Sequence, residues 1–269
     1  MPLVPAKLAG TGVKGGFYEA PDWVDLKKKP GTTVQEIPSL AQWIWNYIKL
    51  ESIFWSPNLV WLLVAIGVYI LFPYDIEKAK TWSWDWVLYR AVVNVVLVFV
   101  YFGWWHVTLY WARWAERKFD PNNMPGSERM IHNMWYCFLG ALQWTGWECM
   151  MLRAYALGKM PYIADEVAWT TRGNIIRMVL GTILVPFWRD IHFYIAHRFI
   201  HIKPLYKYVH SLHHRNTDIE PFSGLCMHPI EHLYYYSCVW PSLYLLGSPF
   251  HFMWNGVHLL ISPAASHSG

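Results

Sequence analysis

The sequence predicts an all-α integral membrane protein: about four transmembrane helices, a re-entrant hairpin and a cytosolic histidine-rich helical cap. Three observations predict it. The 269 residues are 55% hydrophobic and only 15% charged, against about 25% charged in an ordinary globular domain. Apolar runs of helical length recur from residue 53 to residue 261, with Pro, Gly and Asn between them. Between Asp190 and Tyr234 the chain concentrates eight of its thirteen histidines, a polar stretch that lipid would not accept and that therefore caps the helices on one side.

Residues 1–50 run through Pro, Gly and the basic cluster Lys27-Lys28-Lys29 before any long apolar run, so they read as an uncleaved cytosolic arm. Residues 51–269 form the membrane-embedded unit. Its first span is Ile53 to Phe72, free of charge and of the length that crosses about 30 Å of hydrocarbon. The second is Trp86 to Trp111, with Arg90 near enough to one end to snorkel and Trp104, Trp105 and Trp111 as an aromatic belt. Arg113, Arg117 and Lys118 follow at once, and with Lys27 to Lys29 they place both outer ends of this hairpin in the cytosol.

After the loop Asp120 to Arg129, a poorer pair follows, Met134 to Leu152 and Ile175 to Trp188. Glu148 lies inside the first of these, turned either into the bundle or toward water at a helix end. The chain then re-enters the cytosol near Arg189, which makes the histidine stretch cytosolic. Leu233 to Gly247 and Phe250 to Ile261 are too short to span and are broken by Pro241, Gly247 and Pro249, so a half-inserted hairpin is expected. That hairpin brings His267 back to the histidines. The net charge of +4 forms no basic stripe, which argues against nucleic acid as a partner. Cys137, Cys149, Cys226 and Cys238 show no CxxC pairing, so no disulfide framework is expected.

Neutral imidazole is the commonest side-chain ligand of a catalytic metal, and these histidines exceed what one mononuclear centre can use. Their spacing can be tested against a helix. His210, His213 and His214 stand at i, i+3 and i+4, on one face; His197 and His201 are one turn apart. His192 precedes His197 by five residues, about 140° round the helix, and falls off that face. His228 and His232 complete the candidates. A lone histidine such as His106, His132, His251 or His258 reads as a satisfied structural residue. A solvated helix face would use Lys, Glu or Gln rather than so many imidazoles.

Three segments carry a family resemblance. They are Asp190-Ile-His-Phe-Tyr194-Ile-Ala-His197-Arg198-Phe-Ile-His201, then Pro204-Leu-Tyr206-Lys-Tyr-Val-His210-Ser-Leu-His213-His214, then His228-Pro-Ile-Glu231. Together they resemble the histidine boxes of the sterol desaturase and fatty acid hydroxylase superfamily. The resemblance implies a helical membrane oxidoreductase of the endoplasmic reticulum that uses O2 to desaturate or hydroxylate a sterol or fatty acyl chain in lipid biosynthesis. It implies two iron ions on histidines at the cytosolic face, with electrons from NAD(P)H through a reductase and cytochrome b5. Carried over by position, the ligands are His197, His201, His210, His213 and His214, with His267 in a segment similar to the family's N-H-S-G. A further HxxHH box, present in the family, does not occur up to Gly269, and the expectation is a chain truncated before it.

Two other readings start from the same residues. His228-Pro-Ile-Glu231-His232 fits the H-x-x-E-H pattern of inverted zinc proteases, although Pro229 favours a helix start and five box histidines would go unused. The second is a catalytically impaired scaffold or truncated isoform that keeps the fold and part of the boxes.

Overall fold

The computed structural model describes residues 57–112, 126–161, 163–217, 219–242 and 247–267. The expected N-terminal arm, residues 53–56 of the first expected span and the basic residues Arg113, Arg117 and Lys118 lie outside them. Among the described residues there is no strand. Six helices carry the architecture. Helix α1 is Pro57–Leu71, opening on a proline whose missing N–H costs nothing in a first turn. Helix α2 is Trp84–His106, prolonged by a wider π turn, Val107–Trp111. Helices α3, Ser127–Ala156, and α4, Arg172–Ile200, have 30 and 29 residues, each about 45 Å long. Helix α5 is Pro229–Tyr236 and α6 is Pro249–Ser266.

By length and composition one described helix, Trp84–Trp111, is long and apolar enough to cross a membrane. The expectation of about four spans is therefore met at one helix. Within the described residues helix α1 has 15 residues, and residues 53–56 of the expected span lie outside them. Helices α3 and α4 have the length but carry charged and polar residues along it.

Helix α4 also extends beyond the apolar run Ile175 to Trp188. It starts where the Thr171 side chain accepts the N–H of Asn174 at 3.2 Å. It then continues through Pro186 to Ile200, so the chain does not leave the helix at Arg189. His192 and His197 ride on the same helix as the apolar run.

The largest difference concerns α6. Phe250 to Ile261, expected as half of a re-entrant or half-inserted hairpin, lies in a helix of which every residue from His251 to Ala264 is buried within the protein. Helix α6 packs against α1, α2 and α4 and the turn Pro221–Leu225, and Trp254, Leu259, Leu260 and Ile261 are among the most enclosed side chains. Gly256 makes this fit possible, because a Cβ there would overlap Cζ2 of Trp144. Trp144 fills the space and stacks on Phe252 with ring centroids 5.3 Å apart. Glycine is the residue that lets an indole approach a helix backbone this closely.

Arg90 departs from expectation in the same way. Its guanidinium does not snorkel; it is 3% exposed and ion-paired at 2.8 Å to Glu148, itself 1% exposed. Tyr74 Oη and Asn94 Nδ2 also donate to that carboxylate, at 2.8 and 2.7 Å, and Arg90 Nη1 donates to the Phe72 carbonyl. A buried guanidinium needs such a partner, and Glu148 on α3 supplies it. The four cysteines are free and buried.

The helix ends fall into two groups. At one end Arg129, at the start of α3, donates to the Arg215 carbonyl. At the other, Arg153 donates to the Lys80 carbonyl, Tyr69 to Asp165, and Ile163 N–H to the Gly247 carbonyl. The histidine stretch belongs to the first end.

Candidate metal centre

The last turn of α4 carries His197, and His201 caps it. This i, i+4 pair brings the two Nε2 atoms to 3.0 Å. The helix stops there, and Pro204 starts a short helical stretch, Lys203–Leu205. A wide turn, Tyr206–His210, and a final turn, Ser211–His214, then place His210 and His214 with their Nε2 atoms 2.9 Å apart. The two pairs face each other: ring centroids are 4.6 Å apart for His197 and His210 and 5.2 Å for His201 and His214.

One nitrogen from each of these four side chains lies within 4.8 Å of all the others. Four nitrogens at about 2.0–2.1 Å from a tetrahedral ion would be about 3.4 Å apart, so the donor set fits a metal with small adjustment. His210 is fully buried and His214 lies at the exposed rim. Burial, followed by the neighbouring His201, lowers the His210 pKa to about 3. Its ring is neutral at physiological pH, as a ligand must be.

His213 looks away from this quartet toward a neighbour. Its Nδ1 donates to the Cys226 carbonyl at 3.3 Å, and its ring lies 5.3 Å from that of His267. His267 in turn donates Nδ1 to the Pro263 carbonyl at 3.0 Å. His213 also stacks on His210, with centroids 5.6 Å apart. Burial, then His267, His210 and His214, pushes its pKa well below the ordinary value. In His210, His213 and His267 alike an oxygen acceptor holds Nδ1, which leaves Nε2 as the nitrogen with a free lone pair.

The other three candidates stand apart. His192 bonds Ser237 Oγ through Nε2 at 2.9 Å. His228 is the N-cap of α5, its Nδ1 accepting the Ile230 N–H. His232 is fully buried beside Tyr236 and Gly140; a Cβ on Gly140 would stand 2.7 Å from its Nε2. The H-x-x-E-H side chains thus diverge: His228 faces its own helix start, Glu231 faces His210, and His232 faces α3. Glu231 was read from sequence only as a member of a motif. Its Oε1 lies 2.8 Å from His210 Nδ1, and it lines a narrow crevice with Phe193, Ile200, Met227 and Tyr234 that reaches His197.

Residues 182–269 match the fatty acid hydroxylase family. A Delta(7)-sterol-C5(6)-desaturase of Nicotiana tabacum is 30% identical over 105 residues, 36% of this chain and 33% of that protein. The Delta(7)-sterol 5(6)-desaturase ERG3B of Gibberella zeae is 29% identical over 82 residues, 28% of this chain and 24% of that protein. The matches thus span a third or less of these relatives' length. No solved structure matches. Residues 182–269, which hold all six histidines of the two groups, are thus similar to the fatty acid hydroxylase family, and part of the chain is similar to sterol desaturases.

Proposed function

We propose that this chain is an O2-dependent lipid oxidoreductase that desaturates or hydroxylates a sterol or fatty acyl chain. The observation that carries this reading is the convergence of His197, His201, His210 and His214 within 4.8 Å, in a segment that matches the fatty acid hydroxylase family. Those four would hold one iron ion, and His213 and His267 would contribute to a second beside it. Two irons, when bound, supply the capacity to take up electrons and activate O2 for attack on an unactivated C–H bond.

The protein's own part is positioning and exclusion. Acceptors on Nδ1 of His210, His213 and His267 fix which nitrogen each ring presents. The narrow crevice walled by Phe193, Ile200, Met227 and Tyr234 leaves little room for water beside the histidines, and a substrate chain would have to widen it to enter there. Exposed Val60, Leu63, Val92, Val96, Val100, Ile183 and Leu184 on α1, α2 and α4 suit contact with acyl chains. The protein then lies in the endoplasmic reticulum membrane with α2 spanning it, α1, α3 and α4 alongside, and the histidines at the cytosolic face. Electrons come from NAD(P)H through a reductase and cytochrome b5.

The test is to purify the chain in detergent, measure iron per chain, and supply sterol and fatty acyl substrates with NADH, reductase and cytochrome b5. The expected outcome is bound iron and an O2-dependent product, both lost in His210→Ala and His214→Ala. A chain that takes up no iron, or whose turnover survives both substitutions, sinks the proposal.

A further inference from the structure

We propose that Glu231 is a positioning residue for the metal centre, aligning the His210 ring so that Nε2 is directed at the other three histidines. The inference deepens the metal reading above and rests on it. Several observations converge on Glu231. The H-P-x-E segment is built as a helix start: His228 accepts the Ile230 N–H through Nδ1, and Pro229 takes the first helical position. Glu231 therefore sits in the first turn of α5, where the helix dipole favours a carboxylate. That turn aims it across to His210, 21 residues earlier in the chain. Its Oε1 stands 2.8 Å from Nδ1, with His210 0% and Glu231 3% exposed.

No other protein group bonds His210 Nδ1 in the described residues, and the opposite nitrogen of the same ring is the one 2.9 Å from His214. A carboxylate on one edge of an imidazole places the proton there and strengthens the lone pair on the other. The second carboxylate oxygen, Oε2, has no hydrogen-bond partner. Glu231 is thus buried with His210 as the group bonded to its Oε1, an arrangement that costs fold stability and whose geometry serves the orientation of the ring.

The experiment is a titration of the full chain, purified metal-free in detergent, with Co2+ alone, followed by its visible absorption bands. Wild type, Glu231→Gln and Glu231→Asp are compared, each checked by its thermal midpoint without metal. Glu231→Gln keeps the shape but exchanges a carboxylate for an amide, and Co2+ affinity is expected to fall about 10- to 100-fold with altered bands. Glu231→Asp is expected to recover part of the loss. In a His210→Ala background, Glu231→Gln is expected to change the remaining affinity by less than about twofold, since the ring it aligns is gone. Unchanged affinity and bands in Glu231→Gln, or an undiminished effect without His210, overturns the inference. Should Glu231→Gln not purify, Glu231→Asp is judged by the same criteria, with unchanged affinity and bands again overturning it. A wild-type chain that binds no Co2+ overturns the metal reading itself, a result distinct from either.

Discussion

On the His210 ring two contacts meet: Nδ1 lies 2.8 Å from Glu231 Oε1 while Nε2 faces His214 Nε2 at 2.9 Å, and a metal on Nε2 requires the proton on the Nδ1 side. Only the neutral imidazole can carry that proton and still offer Nε2. Its proton affinity differs between the folded and unfolded chain, because burial holds the folded pKa at about 3 against an ordinary 6.5. The unfolded chain begins to take up a proton as pH falls through 6.5, and the folded chain does not, so acid favours unfolding. For the metal-free protein in detergent, the thermal midpoint is expected to drop steadily between about pH 7 and pH 4, and to drop less in His210→Phe. A profile that is flat over that range, or that rises toward acid, contradicts a ring held neutral. At this scale much of the site was legible. Spacing paired His197 with His201 and grouped His210, His213 and His214 on one face; the structure brings His197, His201, His210 and His214 together and turns His213 toward His267. Glu231 was hidden because its partner lies 21 residues away, and helical periodicity carries no information across the helix break at Ile202.

Among the elements, the α2–α3 contact depends on a charge pair that hydrophobic patterning did not reveal. Arg90 and Glu148 lie 58 residues apart in sequence, and Glu148 is bonded by Tyr74 and Asn94 as well. Removing one member strands the other in a dry interior, so Glu148→Ala is expected to destabilise the protein by about 3–5 kcal/mol. A joint Arg90→Leu, Glu148→Leu replacement is expected to cost less than Glu148→Ala alone. Thermal unfolding of the three proteins in one detergent checks the order, and equal losses would mean that the pair does not act as a unit. The helices themselves were visible as apolar runs, with centres close to those observed. Their lengths were not, because α3 and α4 continue into polar sequence that is shielded only by other helices. For helix α6, Pro249 and Gly247 mark the start, but a short apolar run looks the same from sequence whether lipid or protein surrounds it, so its burial was not legible.

Across the whole molecule, the helix ends sort into a histidine-bearing end and an opposite end that gathers Lys80, Arg153, Asp165 and Gly247. If α2 crosses the bilayer, those ends face different compartments. In sealed microsomes Lys207→Cys is expected to react with a membrane-impermeant maleimide, and Lys80→Cys only after permeabilisation; the native thiols are buried and give little background. Equal labelling of both before permeabilisation would contradict the crossing. Charge bias assigns the loop before Arg129 to the cytosolic side as an expectation, and Arg129 itself contacts Arg215 at the histidine-bearing end. The internal position of α6 was not legible, and it bears on biosynthesis. A chain emerges from the ribosome in order, at about 5–20 residues per second, and Gly256 follows Trp144 by 112 residues. The face of Trp144 that meets Gly256 therefore stays uncovered for roughly 6–20 seconds after α3 is made, although α2 and α3 can already pair through Arg90 and Glu148. His267 arrives later still. Assembly of the interior and completion of the second histidine group become one late event, and a chaperone that shields α3 and α4 during that interval should raise the yield of folded protein.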